Sequence, residues 1–452
     1  MNRFGRALAL VMAGLLVTVA GECAAKHVVP GYDSAMLAAA AERIVARAKE
    51  APVGFYFITD MHLLDNARTA GALMAELAGR TPVRRVIFGG DIPRAFDPRI
   101  GTELKDARAA LDWAAGEYRD FVDCVEGSGL KLLAVRGNHD LNIAKDGKSR
   151  RERYSDAEIR ELFFCSRGMR AAVRDPANPD ALWCFADERE TKVRYILADT
   201  GEDGREDFSA AQAAFLEKAF GSMPAGWRAV VVHHIPVVPV VASTERTYGP
   251  FAGLRAILER NADKILIDLT GHHHAERMTF LSGIAHVTEP PDAHYYPGLR
   301  NGSLPWTLDR FMRRRGQPNE QCFDAVQIDP ERAIAYFTRI GYGDDKIVHL
   351  RAGALKPGVP HRVASALDDV AFWGVYDADR VERIEDPKDR WSPSYRYFTD
   401  YAEMSADGTV LPKKAGPVVV VARSSSGVRE FIPFTVETNC GCAENSTAQR
   451  SQ

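Results

Sequence analysis

Five short clusters in this 452-residue chain carry side chains that can bind cations and move protons: Asp60-Met61-His62, Gly89-Gly90-Asp91, Gly137-Asn138-His139-Asp140, His233-His234 and Gly271-His272-His273-His274. Carboxylates, imidazoles and a side-chain amide oxygen form the donor set of divalent transition metals such as Zn, Mn or Fe. The lack of cysteine in every cluster argues against a structural zinc knot. Seven of the twelve histidines lie in these clusters, so separate core or surface roles for each are a poor account of the set.

The elements that must position these residues are short apolar runs. Gly54 to Thr59, Arg85 to Phe88, Lys131 to Val135, Trp227 to Val232 and Lys264 to Leu269 each end where a cluster begins or just before it, and Val193 to Ala198 is a sixth run of the same kind. They are rich in Val, Ile, Leu and aromatics and short enough for buried strands. Helical spacing of apolar residues fills the intervals: Ser34 opens a helix through Glu50, another covers Ala107 to Val125, and Ser209 caps a third. Helices alternating with buried strands predict a layered α/β domain. Open α/β sheets place their ligands at the carboxyl ends of strands, so the five clusters point to one site.

Composition bounds the rest. With 46% hydrophobic and 26% charged residues the chain is globular, and 58 basic against 61 acidic residues lacks the net basicity of a nucleic-acid-coating protein, so no stable nucleic-acid complex is expected. Residues 1–25 read as a signal peptide: Arg3 and Arg6, an apolar stretch from Ala7 to Ala20, then small residues. Glu22 before Cys23 disfavours a lipid anchor. No later stretch reaches the ~18 apolar residues of a membrane span, so the expected location is periplasmic or secreted. Of the six cysteines beyond the leader, Cys165 and Cys184 are the expected disulfide pair, with buried free thiols as the alternative. From residue 350 the texture changes to Pro, Gly and short alternating runs, which predicts a small β-rich, Ig-like sandwich module over 350–437, separable from the rest, and a polar tail over 438–452. Basic runs at Lys145 to Arg153 and Arg313 to Arg315 are either solvated loops or steering groups for an anionic substrate.

In this order and after strands, Asp-x-His, Gly-Asp, Gly-Asn-His-Asp, His and Gly-His-x-His resemble the calcineurin-like metallophosphoesterase superfamily. The resemblance covers roughly residues 51 to 345 within a domain over 26–345. It implies a four-layered α/β sandwich, two sheets flanked by helices, with two divalent metal ions (Mn, Fe or Zn) at its edge. By that similarity Asp60, His62 and His274 hold one metal, Asn138, His234 and His272 the other, and Asp91 bridges them. The family's lone histidine often stands two before a proline, as His234 does, but His233 follows the strand directly and is the alternative. His273 receives no role. The sequence after Asp91, Ile92-Pro93-Arg94, lacks the elements of the protein Ser/Thr phosphatases and puts Arg94 where purple acid phosphatases carry tyrosine. The implied reaction is hydrolysis of a phosphate mono- or diester by a metal-bridging hydroxide, with His139 as acid and Asp140 or Asp97 as its partner. The alternative is a non-catalytic surface- or partner-binding protein with a structural metal site.

Overall fold

The computed structural model describes residues 34–62, 66–93, 103, 105–140, 155–201, 208–238, 251–274, 276–292, 320–384 and 394–438. The leader, both basic runs, Arg94, Asp97 and the tail beyond 438 lie outside the described residues.

Two sheets carry the fold. In the larger, β1 (Val53–Ile58), β2 (Arg85–Phe88) and β3 (Lys131–Ala134) are parallel neighbours at one edge, in the order β3-β2-β1. The sheet continues through antiparallel β10 (Cys322–Asp329), β11 (Ile334–Gly341) and β12 (Lys346–His349) to β21 (Arg429–Val436), β20 (Gly416–Ser424) and β15 (Val370–Asp377); β13 (Gly353–Leu355) also pairs with β21. The second sheet runs β4 (Cys184–Glu188), β5 (Val193–Leu197), β6 (Arg228–Val232), β7 (Ile265–Thr270), β9 (Ile284–Thr288) and β8 (Arg277–Leu281), with β5, β6, β7 and β9 parallel. Short strands β14 (His361–Arg362), β18 (Ala402–Met404) and β19 (Thr409–Pro412) form a third sheet, and β16 (Val381–Ile384) pairs with β17 (Ser394–Tyr397).

Helices α1 (Ser34–Arg47), α2 (Asn66–Arg80) and α3 (Ala107–Gly127) line the larger sheet, with α4 (Asp156–Phe163) and α5 (Arg167–Ala171) at its β3 edge. On the other sheet lie α6 (Ala210–Gly221) and α7 (Ala252–Arg260). The starts are set by caps: Asp106 accepts from Ala109 N–H, and Ser209 from Gln212 N–H. Strand alternation sorts the layers. Tyr195, Leu197, Val230 and Val232 join the core between the sheets, where Tyr195 meets Phe55 of β1 edge-on, whereas Ile196 and Val231 pack on Phe215, Leu216 and Leu254 of the helices. The result is the expected four-layered α/β sandwich.

The carboxyl-terminal part is not a separate module. β21 pairs in parallel with β12, Lys346 opposite Arg429, which makes β15, β20 and β21 a continuation of the larger sheet. Val419 and Val421 of β20 enter the main core with Phe431 and Tyr376, while Val418 and Val420 on the opposite face build a smaller core with Val363, Val410 and Ile432. A strand buried on both faces binds the two parts together, so the boundary expected near 345–350 is no boundary of the core. The Cys165–Cys184 pairing is also overturned, since both thiols are free and burial pushes the Cys184 thiol up to about 12. Cys124 is disulfide-bonded. No described helix is long and apolar enough to cross a membrane.

Candidate metal centre

The site forms where the parallel strands of both sheets end side by side. Past the ends of β1, β2 and β3 the chains stay in register through Gly89 N–H to Ile58 O (2.7 Å), Asp60 N–H to Gly90 O (2.9 Å), His62 N–H to Asp91 O (3.1 Å) and Val135 N–H to Phe88 O (3.0 Å). On the second sheet Gly271 N–H reaches His234 O (3.1 Å). The two sets meet at His272, whose N–H donates to both carboxylate oxygens of Asp60 (3.2 and 3.0 Å). Gly271 permits this approach: a Cβ there would lie 2.3 Å from Asp60 Oδ2.

Two groups of ligand atoms converge, one from Asp60, His62, Asp91 and His274 and one from Asp91, His234 and His272, each group within 4.8 Å. His274 Nε2 lies 3.1 Å from Asp60 Oδ1 and 3.2 Å from His62 Nε2; His234 Nε2 lies 3.2 Å from Asp91 Oδ2. Asn138 joins the second group, its Oδ1 2.8 Å from His272 Nδ1. Asp91 belongs to both. Among the described residues, five of the eight non-glycine residues with left-handed backbone are members: Asp60, His62, Asp91, His272 and His274. Each such residue costs about 1–3 kcal/mol and persists only where its surroundings hold it, and this concentration marks a functional centre.

The electrostatics fit cations. Burial would raise the Asp60 and Asp91 carboxyls, yet His234 beside both, with His274 near Asp60 and His139 near Asp91, holds them below the usual carboxylate range. Burial pushes His62 and His272 down to about 3, keeping these imidazoles neutral with lone pairs to offer. His234 goes the other way: burial lowers it, but Asp91 and Asp60 carry it to about 10. Two buried carboxylates thus hold a proton on His234, a positive charge of the kind a metal ion would supply. Its Nδ1–H donates to Gly89 O (2.8 Å), leaving the buried Nε2 turned to the cluster, 3.2 Å from Asp91 Oδ2. Loss of the Nε2 proton would leave the tautomer of a metal-ligating imidazole with an outer-shell partner.

The structure separates the two histidines after β6. His233 faces away, its Nδ1 2.8 Å from Ile235 O and its Nε2 2.9 Å from Asp268 Oδ1, with His286 on the other Asp268 oxygen (2.7 Å). It therefore stands outside the cluster, contrary to its place among the expected ligands. Asp140 is spent on backbone: its oxygens accept from Gly137 N–H (2.6 Å), Ile92 N–H (2.7 Å) and Asp91 N–H (3.2 Å), so it positions the two loops rather than partnering the His139 ring. Burial, then the charge of Asp91, pushes its carboxyl up to about 8. His139 packs its ring edge-on to His62 with centroids 4.7 Å apart, and its N–H donates to Asp91 Oδ1 (2.8 Å). Its side chain is 30% exposed, against 20% for His274. His273 packs against His272.

Several supporting residues escaped the sequence reading. Fully buried Arg136 ties the end of β3 to the end of β5 through a bidentate pair with Asp199 (3.0 and 2.5 Å); its place just before Gly137 was the available signal. Asp292 accepts from Asn66 Nδ2 (2.7 Å) and Cys322 N–H (2.8 Å) and donates its own N–H to Thr59 O (2.9 Å), pinning the chain that bears Asp60 and His62. Nothing in its sequence context distinguishes it.

No protein-family model matches the sequence, and no curated protein matches it. Among solved structures the chain is similar to a dimetal phosphatase from Danio rerio, with 14% identity, 66% of this chain and 98% of that chain covered and a TM-score of 0.45. It is also similar to a phosphopantetheinyl hydrolase from Mycobacterium tuberculosis, with 14% identity, 53% and 89% covered and a TM-score of 0.30. Likenesses this distant carry no argument about activity, which rests on the chain's own geometry.

Proposed function

We propose that this chain is an exported phosphoesterase of the calcineurin-like metallophosphoesterase superfamily that hydrolyses a phosphate mono- or diester with two divalent cations. The observation that carries this reading is Asp91, one buried carboxylate shared by two ligand clusters with His139 at their mouth. Asp60, His62, His274 and Asp91 would hold one ion, and Asp91, Asn138, His234 and His272 the other. Mn, Fe and Zn all suit these donors. Bound there, the cations supply Lewis acidity toward water and toward the phosphoryl oxygens.

The chain's own residues do the rest. Asp140 fixes the Asp91 and Asn138 loops through three backbone amides, and Gly89 O orients His234. His139, fixed at its backbone by Asp91 and partly open, delivers a proton to the departing oxygen. Export is supported by the Cys124 disulfide, since such bonds persist in oxidising compartments, together with the leader-like first 25 residues. The test is hydrolysis of an aryl phosphate monoester, an aryl diester and cyclic nucleotides by the manganese-loaded protein. Turnover of at least one class is expected. Two bound ions with no turnover of any class would leave a binding protein instead.

A further inference from the structure

Six charged side chains are buried together where β8 to β12 meet β21: Glu276, Glu289 and Asp324 against Arg339, Lys346 and Arg429. Lys346 Nζ reaches Glu276 Oε1 (2.8 Å), Glu289 Oε2 (2.8 Å) and Asp324 Oδ2 (3.0 Å). Arg339 contacts the same three acids, at 2.7 Å, 3.1 Å and 2.9 Å. Three acids meet three bases, and the third base, Arg429, comes from the carboxyl-terminal strand. Lys346 and Arg339 both take Oε1 of Glu276, and Arg429 Nη1 takes Oε2 at 2.5 Å.

We infer that Arg429 is a positioning residue for His274, so that the carboxyl-terminal strands are part of the metal centre. This rests on the two-metal reading above. Glu276 follows His274 by two residues and leads into β8, and His274 sits in left-handed backbone (φ 51°) that relaxes unless its flanks are held. The near side of the loop has its own tethers: Gly271 N–H to His234 O, and His272 N–H to Asp60. Glu289 N–H also bonds Thr270 O, before the loop begins. Arg429 holds Glu276 Oε2 while Lys346 and Arg339 share Oε1, so losing Arg429 lets the Glu276 carboxylate turn, which shifts His274 and spares His272. The ion held by Asp60, His62 and His274 weakens, and the ion held by Asn138, His234 and His272 stays.

The experiment is manganese titration of the full-length protein by calorimetry, with metal content and the exchange-coupled Mn–Mn electron paramagnetic resonance signal read in parallel. Wild type binds two ions. In Arg429→Gln one ion binds as in wild type and the other roughly 10–100-fold more weakly, the usual effect of losing an outer-shell partner, and the coupled signal fades. Arg429→Lys, which keeps the charge on Glu276, restores most of both. Should Arg429→Gln fail to fold by circular dichroism, the charge-neutral pair Glu276→Gln/Arg429→Gln is expected to fold and show the same selective loss. Wild-type affinity for both ions in the folded neutral variant, equal loss of both, or a lysine variant no better than glutamine overturns the role of Arg429. A wild type that binds fewer than two ions overturns the two-metal reading and this inference with it.

Discussion

Gly137 is where backbone geometry and metal binding are most tightly coupled, and Gly137→Ala turns that coupling into a number. A Cβ at this position would stand 2.2 Å from Asp91 Oδ1 and 2.3 Å from Asp91 N. Carbon and oxygen do not approach closer than about 3 Å without bonding, so Asp91 or the Gly137 loop must shift by about 1 Å. Neither is free to yield: Asp91 Oδ1 already accepts from His139 N–H, and Gly137 N–H donates to Asp140 at 2.6 Å. A misplacement of about 1 Å in a preorganised site costs on the order of 10²-fold in rate. Because Asp91 serves both clusters, both metal affinities should fall. Gly116→Ala in α3 is the control, since a Cβ there meets nothing within 4 Å, and removing a helical glycine should stabilise by about 0.5–1 kcal/mol. The assay is kcat/KM on the best aryl phosphate ester, with metal content and Tm, for both variants. A Gly137→Ala protein with two ions and a wild-type rate would refute the reasoning.

His139→Ala should keep its metal near the wild-type level while turnover falls by roughly 10²–10⁴-fold, less for esters with good leaving groups, whose departing oxygen needs little proton. Loss of an ion, or no loss of rate with a poor leaving group, would show that His139 is not the acid. A chain ending at residue 345 should not fold, because it removes Lys346 and Arg429 and leaves Glu276, Glu289 and Asp324 facing Arg339 alone. Uncompensated buried charge costs roughly 3–5 kcal/mol against a total stability of about 5–15 kcal/mol, and a native circular dichroism spectrum of that fragment would show the strands beyond residue 345 to be dispensable. Iron-loaded protein should lack a visible tyrosinate charge-transfer band, since the converging ligands are aspartates, histidines and an asparagine; such a band would mean a ligand outside this set.

The strands that bear the site were legible because each is a short apolar run closed by a cluster: β1, β2, β3, β6 and β7 begin and end within a residue of the expected limits. The choice between His233 and His234 stayed open in the sequence, and strand phase in the structure decides it. His233 is in step with Val231 and Ile235, which pack on the helices, and His234 with Val230 and Val232, which face the other sheet. What the sequence concealed was long-range pairing. The β12–β21 ladder joins residues some eighty positions apart, and no local period reports it. Val418 to Val421 reads as one apolar run whether it fills a separate sandwich or feeds two cores. The charges of Glu276, Asp324, Lys346 and Arg429 look like solvated surface because their burial depends on partners far apart in the chain.

The central claim is that the Asp91 carboxylate joins two ions, and metal content per chain tests it most directly. After manganese loading and gel filtration, wild type should carry two ions. His62→Ala and His234→Ala should each carry about one, because each removes a ligand of a single cluster, whereas Asp91→Ala should carry close to none. Two ions retained in a folded Asp91→Ala protein, or a wild type that never exceeds one, would contradict the account.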